Sequence, residues 1–154
     1  MKRIYITNGC PFSGKSTWAI KNFAPDSIIE SDEVKNDETR TGDLIEYLVL
    51  LANKCENNTV CIVQTDNSYR TFKRFKELLP NCEIIIANFE LTLEEIKANR
   101  FESKRKKRNF KREDRLEFYQ KIFLNSLDKI KECSDWTCIS IHRQESNSLN
   151  SFLE

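Results

Sequence analysis

The sequence predicts an α/β three-layer sandwich with a mainly parallel sheet of five strands, and three observations carry that expectation. Apolar runs of strand length recur along the chain, with segments of helical period between them. The runs are continuously apolar instead of alternating, as strands are when helices cover both faces of a parallel sheet. A glycine-containing loop separates the first run from the first helical segment.

Taken in order, "RIYIT" (residues 3–7) is the first strand, and "STWAIKNF" after the loop starts a helix. "SIIE" (27–30) is a short second strand. "DLIEYLVLLANKC" then places Leu44, Ile45, Leu48, Leu51, Ala52 and Cys55 on one helical face. "TVCIVQ" (59–64) and "CEIIIANF" (82–89) are the third and fourth strands. A helical stretch begins near Leu93, and "REDRLEFYQKIFLNSLDKI" carries Leu116, Tyr119, Ile122, Phe123, Leu127 and Ile130 on one face before the fifth strand, "TCISI" (137–141).

At 154 residues the chain has the size of one domain, spanning 1–154, with no internal repeat and no Pro- or Gly-rich linker. A polar, weakly patterned end, residues 145–154, reads as a flexible tail. The charges nearly balance, 25 basic against 24 acidic residues, but seven positive charges fall in the nine residues "KRKKRNFKR" (104–112). The basicity is local, as in a patch that meets an anion. Six cysteines include no Cys-x-x-Cys pair and no histidine spacing that reads as zinc ligation. With no long apolar run either, the expected protein is soluble and cytoplasmic, has no membrane partner and carries free thiols. Its oligomeric state is left open.

The loop carries the chemistry. Gly9, Cys10, Pro11, Phe12, Ser13, Gly14, Lys15 and Ser16 satisfy Gly-x-x-x-x-Gly-Lys-Ser, between a strand and a helix start. In that context successive backbone N–H groups curl round a β-phosphate at a helix N-terminus, where the dipole also favours an anion. Lys15 is expected to neutralise charge on the β- and γ-phosphates and Ser16 to ligate Mg²⁺, with Thr17 beside them in the first helical turn. The donor and metal are thus ATP and Mg²⁺. Cys10 is expected to pack, because phosphoryl transfer from a nucleotide needs no thiol.

The run Gly-Cys-Pro-x-Ser-Gly-Lys-Ser-Thr-Trp-Ala, residues 9–19, resembles the nucleotide loop of bacteriophage polynucleotide 5′-kinase and its P-loop kinase relatives, and the order of later elements is similar over nearly the whole chain. The resemblance implies a P-loop NTPase, adenylate-kinase-like fold with a helical basic lid at about residues 91–115. It also implies an acidic general base at the tip of the second strand, which here is Asp32 in "IIESDEVK". Where the family has an acceptor-phosphate arginine three residues on, this chain has Lys35, which keeps the charge and loses the bidentate fork. After the third strand the family's Asp, Thr and Asn recur in permuted order as Gln64-Thr65-Asp66-Asn67, so Asp66 and Asn67 join the expected acceptor set with Arg70 and Lys73. Phe12 stands where relatives commonly have glycine.

The lid segment supplies Arg100, Lys104, Arg108 and Lys111 at helical spacing. Its arginines are expected to stabilise the transferring phosphoryl group, with Arg105 the candidate finger and Arg100 and Arg108 nucleotide-binding. His142, the only histidine, ends the last strand beside Arg143, near where such kinases hold the purine. The implied activity is transfer of the γ-phosphate to the 5′-hydroxyl end of a nucleic acid. The alternatives are a small-molecule or nucleotide kinase, a kinase of a hydroxyl on a modified DNA base, and a nucleotide-dependent RNA-binding regulator.

Overall fold

All five apolar runs become strands in the computed structural model, which describes residues 1–36, 42–102 and 114–143. They are β1 (Arg3–Asn8), β2 (Ile28–Glu30), β3 (Thr59–Val63), β4 (Glu83–Phe89) and β5 (Thr137–Ile141). The helices are α1 (Lys15–Asn22), α2 (Ser31–Val34), α3 (Leu44–Lys54), α4 (Tyr69–Leu78), α5 (Leu93–Glu102) and α6 (Asp114–Glu132). The sheet runs β2-β3-β1-β4-β5 and is parallel at every pairing.

The layers follow from that order. From β1 the chain steps two places to reach β2, and every later crossover steps the other way. Right-handed crossovers therefore put α1 on one face and α3, α4 and most of α6 on the other, while Ile96 of α5 and Leu116 at the start of α6 share a buried cluster with Ala87 and Phe89, against which Trp18 of α1 packs. The core agrees. Ile4, Ile6, Ile62 and Ile86 pack with Leu48 of α3, Phe72 and Phe75 of α4, and Ile130 of α6. Cys61 and Val63, whose side chains point oppositely, pack with Ala19, Tyr5, Trp18 and Phe23 on the α1 side. Phe72 and Phe75 are fully buried, and truncating either to Ala is expected to cost about 3–5 kcal/mol.

Two helical faces differ in detail from expectation. On α3 the buried residues are Leu48, Val49 and Ala52, so Val49 joins a stripe on which Leu51 was expected to lie deep. Along α6 Leu116, Phe123, Leu127 and Ile130 are buried as expected, but so are Gln120 and Ser126, which an apolar period cannot reveal. Both polar residues find partners: Gln120 Nε2 donates to the Leu91 carbonyl at 2.9 Å, and Ser126 Oγ to the Phe123 carbonyl at 3.0 Å. The start of α5 is fixed by a reciprocal cap, in which Thr92 Oγ1 accepts from Glu95 N–H and Glu95 Oε1 from Thr92 N–H. Among the described residues no helix is long and apolar enough to cross a membrane.

At the carboxyl edge, Asn8 and Asn88 stand opposite each other in register, and their buried side chains share a hydrogen bond of 2.9 Å. This polar pair lies directly before the loop that follows β1.

Candidate active site

The loop between β1 and α1 is shaped by two glycines with different duties. At Gly9 a Cβ would come within 2.6 Å of Ser13 Oγ and 2.8 Å of Phe89 Cβ, so close approach excludes any side chain. Gly14 has open space around it but φ of 92°, the left-handed region that favours glycine, and it caps α1. Phe12 occupies that region as well, with φ of 66°. A bulky residue there is an outlier costing on the order of 1–3 kcal/mol, which explains why glycine suits the position in the family this loop resembles. Phe12 packs against the buried cluster that contains Cys10 and Phe89, which offsets part of that cost.

Lys15 is 9 % exposed, and its ammonium donates to the carbonyls of Gly9 at 2.7 Å and Gln64 at 3.3 Å. Gly9 is gripped again by Asn67, whose Oδ1 accepts from Gly9 N–H at 3.0 Å and whose Nδ2 donates to the Gly9 carbonyl at 2.6 Å. Ser13 Oγ is buried and has no hydrogen-bond partner among the described residues. A curled backbone with an ammonium and an orphaned hydroxyl inside it fits a phosphate group. Ser16, half-buried in the first turn of α1, lies next to Lys15 where a phosphate-bound Mg²⁺ would be met. Among the described residues no group of three or more His, Cys, Asp or Glu gathers, and an ion carried by phosphates needs only such a hydroxyl. Cys10 is wholly buried with its thiol against the Leu116 carbonyl, and burial pushes its pKa up to about 12 despite the nearby Lys15 charge. It packs, as expected.

At the tip of β2, two strands across from β1, Ser31 is fully buried and shares a hydrogen bond of 3.2 Å with Thr65, tying the β2 and β3 ends together. Asp32 follows in α2, exposed, with its carboxylate 3.0 Å from the Lys35 ammonium. No side chain caps α2, so Asp32 does not serve as that helix's cap.

The permuted segment after β3 takes a form the sequence did not disclose. Asn67 is 3 % exposed and lies beneath the loop, holding Gly9, instead of facing solvent beside an acceptor. Asp66 accepts from Ser68 N–H at 2.9 Å and from Thr71 Oγ1 at 2.8 Å, which organises the turn into α4. Arg70 and Lys73 are exposed on α4. Arg100 is partly buried on α5, whereas Arg105 and Arg108 lie outside the described residues.

One residue has no forerunner in the sequence reading. Asn99 on α5 donates to the Phe12 carbonyl at 2.8 Å and accepts from Arg143 Nε at 2.8 Å, so α5, the loop and the end of β5 are joined through one amide. Arg143 also reaches Glu102 at 3.5 Å. His142 is exposed.

Loop, sheet order and layers together define a P-loop NTPase-like three-layer sandwich. No protein-family model and no curated protein matches the sequence. Solved structures do. A fungal RNA kinase matches with a TM-score of 0.54 at 15 % identity, over 94 % of this chain and 76 % of that one. A sugar kinase from Janibacter sp. HTCC2649 matches at 0.58 and 12 % identity, over 99 % and 92 %. A structure from the PezAT chromosomal toxin-antitoxin system of Streptococcus pneumoniae matches at 0.58 and 16 % identity, over 93 % and 69 %. At these identities the likeness is one of fold.

Proposed function

We propose that this chain is an ATP-dependent kinase that phosphorylates the 5′-hydroxyl end of a nucleic acid. The observation that carries the reading is the Asp32–Lys35 pair, exposed just past β2 at the carboxyl edge of the sheet, with only the tip of β3 between it and the phosphate-shaped loop that follows β1. Ligands of open α/β sheets gather at that edge. The likeness to a fungal RNA kinase adds support for a nucleic-acid acceptor.

In this reading the backbone N–H groups of residues 9–16 hold the β-phosphate, and Lys15 leaves the Gly9 and Gln64 carbonyls for the β- and γ-phosphates. Mg²⁺ on the phosphates, held by Ser16, supplies charge neutralisation. Asp32 accepts the proton of the attacking hydroxyl as its oxygen bonds the γ-phosphorus and the bond from that phosphorus to the β,γ-bridging oxygen breaks, releasing ADP, and Lys35 holds the adjacent acceptor phosphate. Arg70 and Lys73 extend that contact. Arg105 acts as the finger on the transferring group, with Arg100 and Arg108 on the nucleotide. Asn67 sets the loop and Asp66 sets the turn, so both act through their neighbours.

Transfer of labelled γ-phosphate to a panel of single-stranded DNA, RNA, mononucleotides, sugars and hydroxymethylated DNA tests the proposal. Labelling of 5′-hydroxyl oligonucleotides is expected. Labelling of sugars or mononucleotides alone would establish the small-molecule kinase that the Janibacter neighbour represents. Labelling confined to hydroxymethylated DNA would move the acceptor to the base. ATP binding with no transfer to any acceptor would favour a nucleotide-dependent regulator.

A further inference from the structure

Away from the loop, the described residues carry a second chemically distinctive surface along the groove between α4 and α6. Its upper part is a depression of about 470 Å³ lined in part by Tyr69, Arg70, Lys73 and Lys129. An adjoining depression of about 340 Å³ shares Tyr69 and Lys73 and adds Lys76 and Trp136. Tyr69 and Trp136 meet edge to face with centroids 6.0 Å apart, and Trp136 Nε1 donates to Tyr69 Oη at 3.3 Å.

The ammonium groups are arranged around these rings. Lys76 Nζ stands 4.5 Å from the Trp136 centroid, and Lys73 and Lys129 stand 6.0 and 5.9 Å from that of Tyr69. A ring face positions an ammonium without using up its N–H donors, and Lys76 spends one of its three on the Asp135 carbonyl at 3.0 Å. Arg74 is paired with Asp43 and Glu46, but Arg70, Lys73, Lys76 and Lys129 make no ion pair among the described residues, although Glu77 lines both depressions and Asp135 the second. Charge held in place and left unneutralised is suited to an anion that arrives with several phosphates.

We infer that this groove binds the backbone of a single-stranded nucleic acid and carries the acceptor chain away from its reacting end, a role that rests on the polynucleotide reading above. The groove begins at the right place, because Ser68 lines it and follows directly on Asn67, which holds Gly9. Arg70, Lys73 and Lys76 recur every third residue, so they climb α4 in steps of about 4.5 Å and cover about 9 Å of its axis. Cations in a groove with aromatic rings between them are what single-strand binding uses: phosphates meet the cations, and bases stack on the rings. An acidic protein would use the same cations but gains little from the rings.

Binding of a labelled 12-nucleotide oligo(U) to the full chain, measured by anisotropy without ATP over a range of salt, tests the inference independently of phosphate transfer. In Lys76→Ala/Lys129→Ala both changes fall on exposed side chains. The variant is expected to bind more weakly, with the logarithmic salt slope reduced by about 1.4, at about 0.7 for each single-strand phosphate contact. Trp136→Ala should weaken binding without changing that slope, and Trp136→Phe should restore much of it. Unchanged affinity and slope in the double lysine variant would overturn the inference, as would equal binding of polyglutamate of the same length. If the wild-type chain binds oligo(U) in this way but transfers no phosphate to it, the groove stands and the kinase reading falls. If transfer to oligonucleotides occurs and the double variant binds like wild type, the kinase reading stands and the groove falls.

Discussion

Replacing Asn67 by alanine separates a residue that shapes the nucleotide loop from one that touches the acceptor. Its side chain makes two hydrogen bonds, both to the Gly9 backbone, and is 3 % exposed. Each bond contributes about 1 kcal/mol net, and an amide left buried without an acceptor costs about 1–3 kcal/mol. The Gly9 carbonyl keeps Lys15 as a donor, so only the Gly9 N–H is orphaned. The expected loss is roughly 2–4 kcal/mol. For a chain of this size that lowers the melting temperature by roughly 5–15 °C, at about 2–4 °C per kcal/mol. Thermal unfolding by circular dichroism without ligand reads the stability, and an ATP titration of the same variant should show weakened binding. Asn67→Asp should rescue little, because its second oxygen would face the Gly9 carbonyl. An unchanged melting temperature with a raised acceptor KM would refute this reasoning and return Asn67 to the acceptor set.

Lys15→Ala should abolish phosphate transfer while the far-ultraviolet circular dichroism stays native, and full activity would remove the nucleotide-loop reading. Asp32→Asn should keep ATP affinity and lower turnover by about 10²–10⁴, the range of a lost general base; loss of ATP affinity with normal turnover would assign Asp32 to the metal shell. Asp43 caps α3 by accepting from Glu46 N–H at 2.8 Å, and that bond, aided by Arg74, holds its carboxyl below the usual range. Asp43→Ala should therefore cost about 1 kcal/mol at neutral pH. The gap to wild type should close as pH falls from the ordinary carboxylate value through the lower folded one, and a gap independent of pH would contradict the cap. Cys10 and Cys61, both fully buried and pushed up to about 12, should resist alkylation at pH 8 until the protein unfolds; rapid labelling of either in the native state would contradict this packing.

The parts legible in the sequence are those with a repeating physical signature. Continuous apolar runs located five strands because burial on two faces leaves no polar alternation, and the loop declared itself because its glycines and lysine stand at fixed spacing. The turn after β3 was not legible in the same way. Asp66 and Asn67 are polar residues beside a strand tip, and a side chain that will bond a backbone has the same identity as one that will meet a ligand. What decides between them is the approach of Gly9, a residue distant in sequence. Asn99 is hidden for the same reason, since its worth depends on Phe12 and Arg143 arriving on either side of it. Phe12 offered a partial signal: a bulky residue at a glycine position foretells a backbone held against its preference.

The central place of β1 has a consequence for the order in which the protein is made. Arg3 pairs with Thr59 on one side and Glu83 on the other, so the first strand synthesised cannot be hydrogen-bonded into the sheet until its neighbours have emerged. The clamp on the loop comes later still than β3, because Gly9 waits for Asn67, 58 residues on. At about 5–20 residues per second this interval is about 3–12 s, during which the glycine-rich segment stays without its partner. On the kinase reading, nucleotide binding would therefore be a late acquisition of the growing chain, and ATP would not help the early stages of its folding. Non-local parallel pairing of this kind is also slow once the chain is complete. Ribosome-stalled chains ending before residue 67 should bind no ATP, and those long enough to release β4 should be the first to do so.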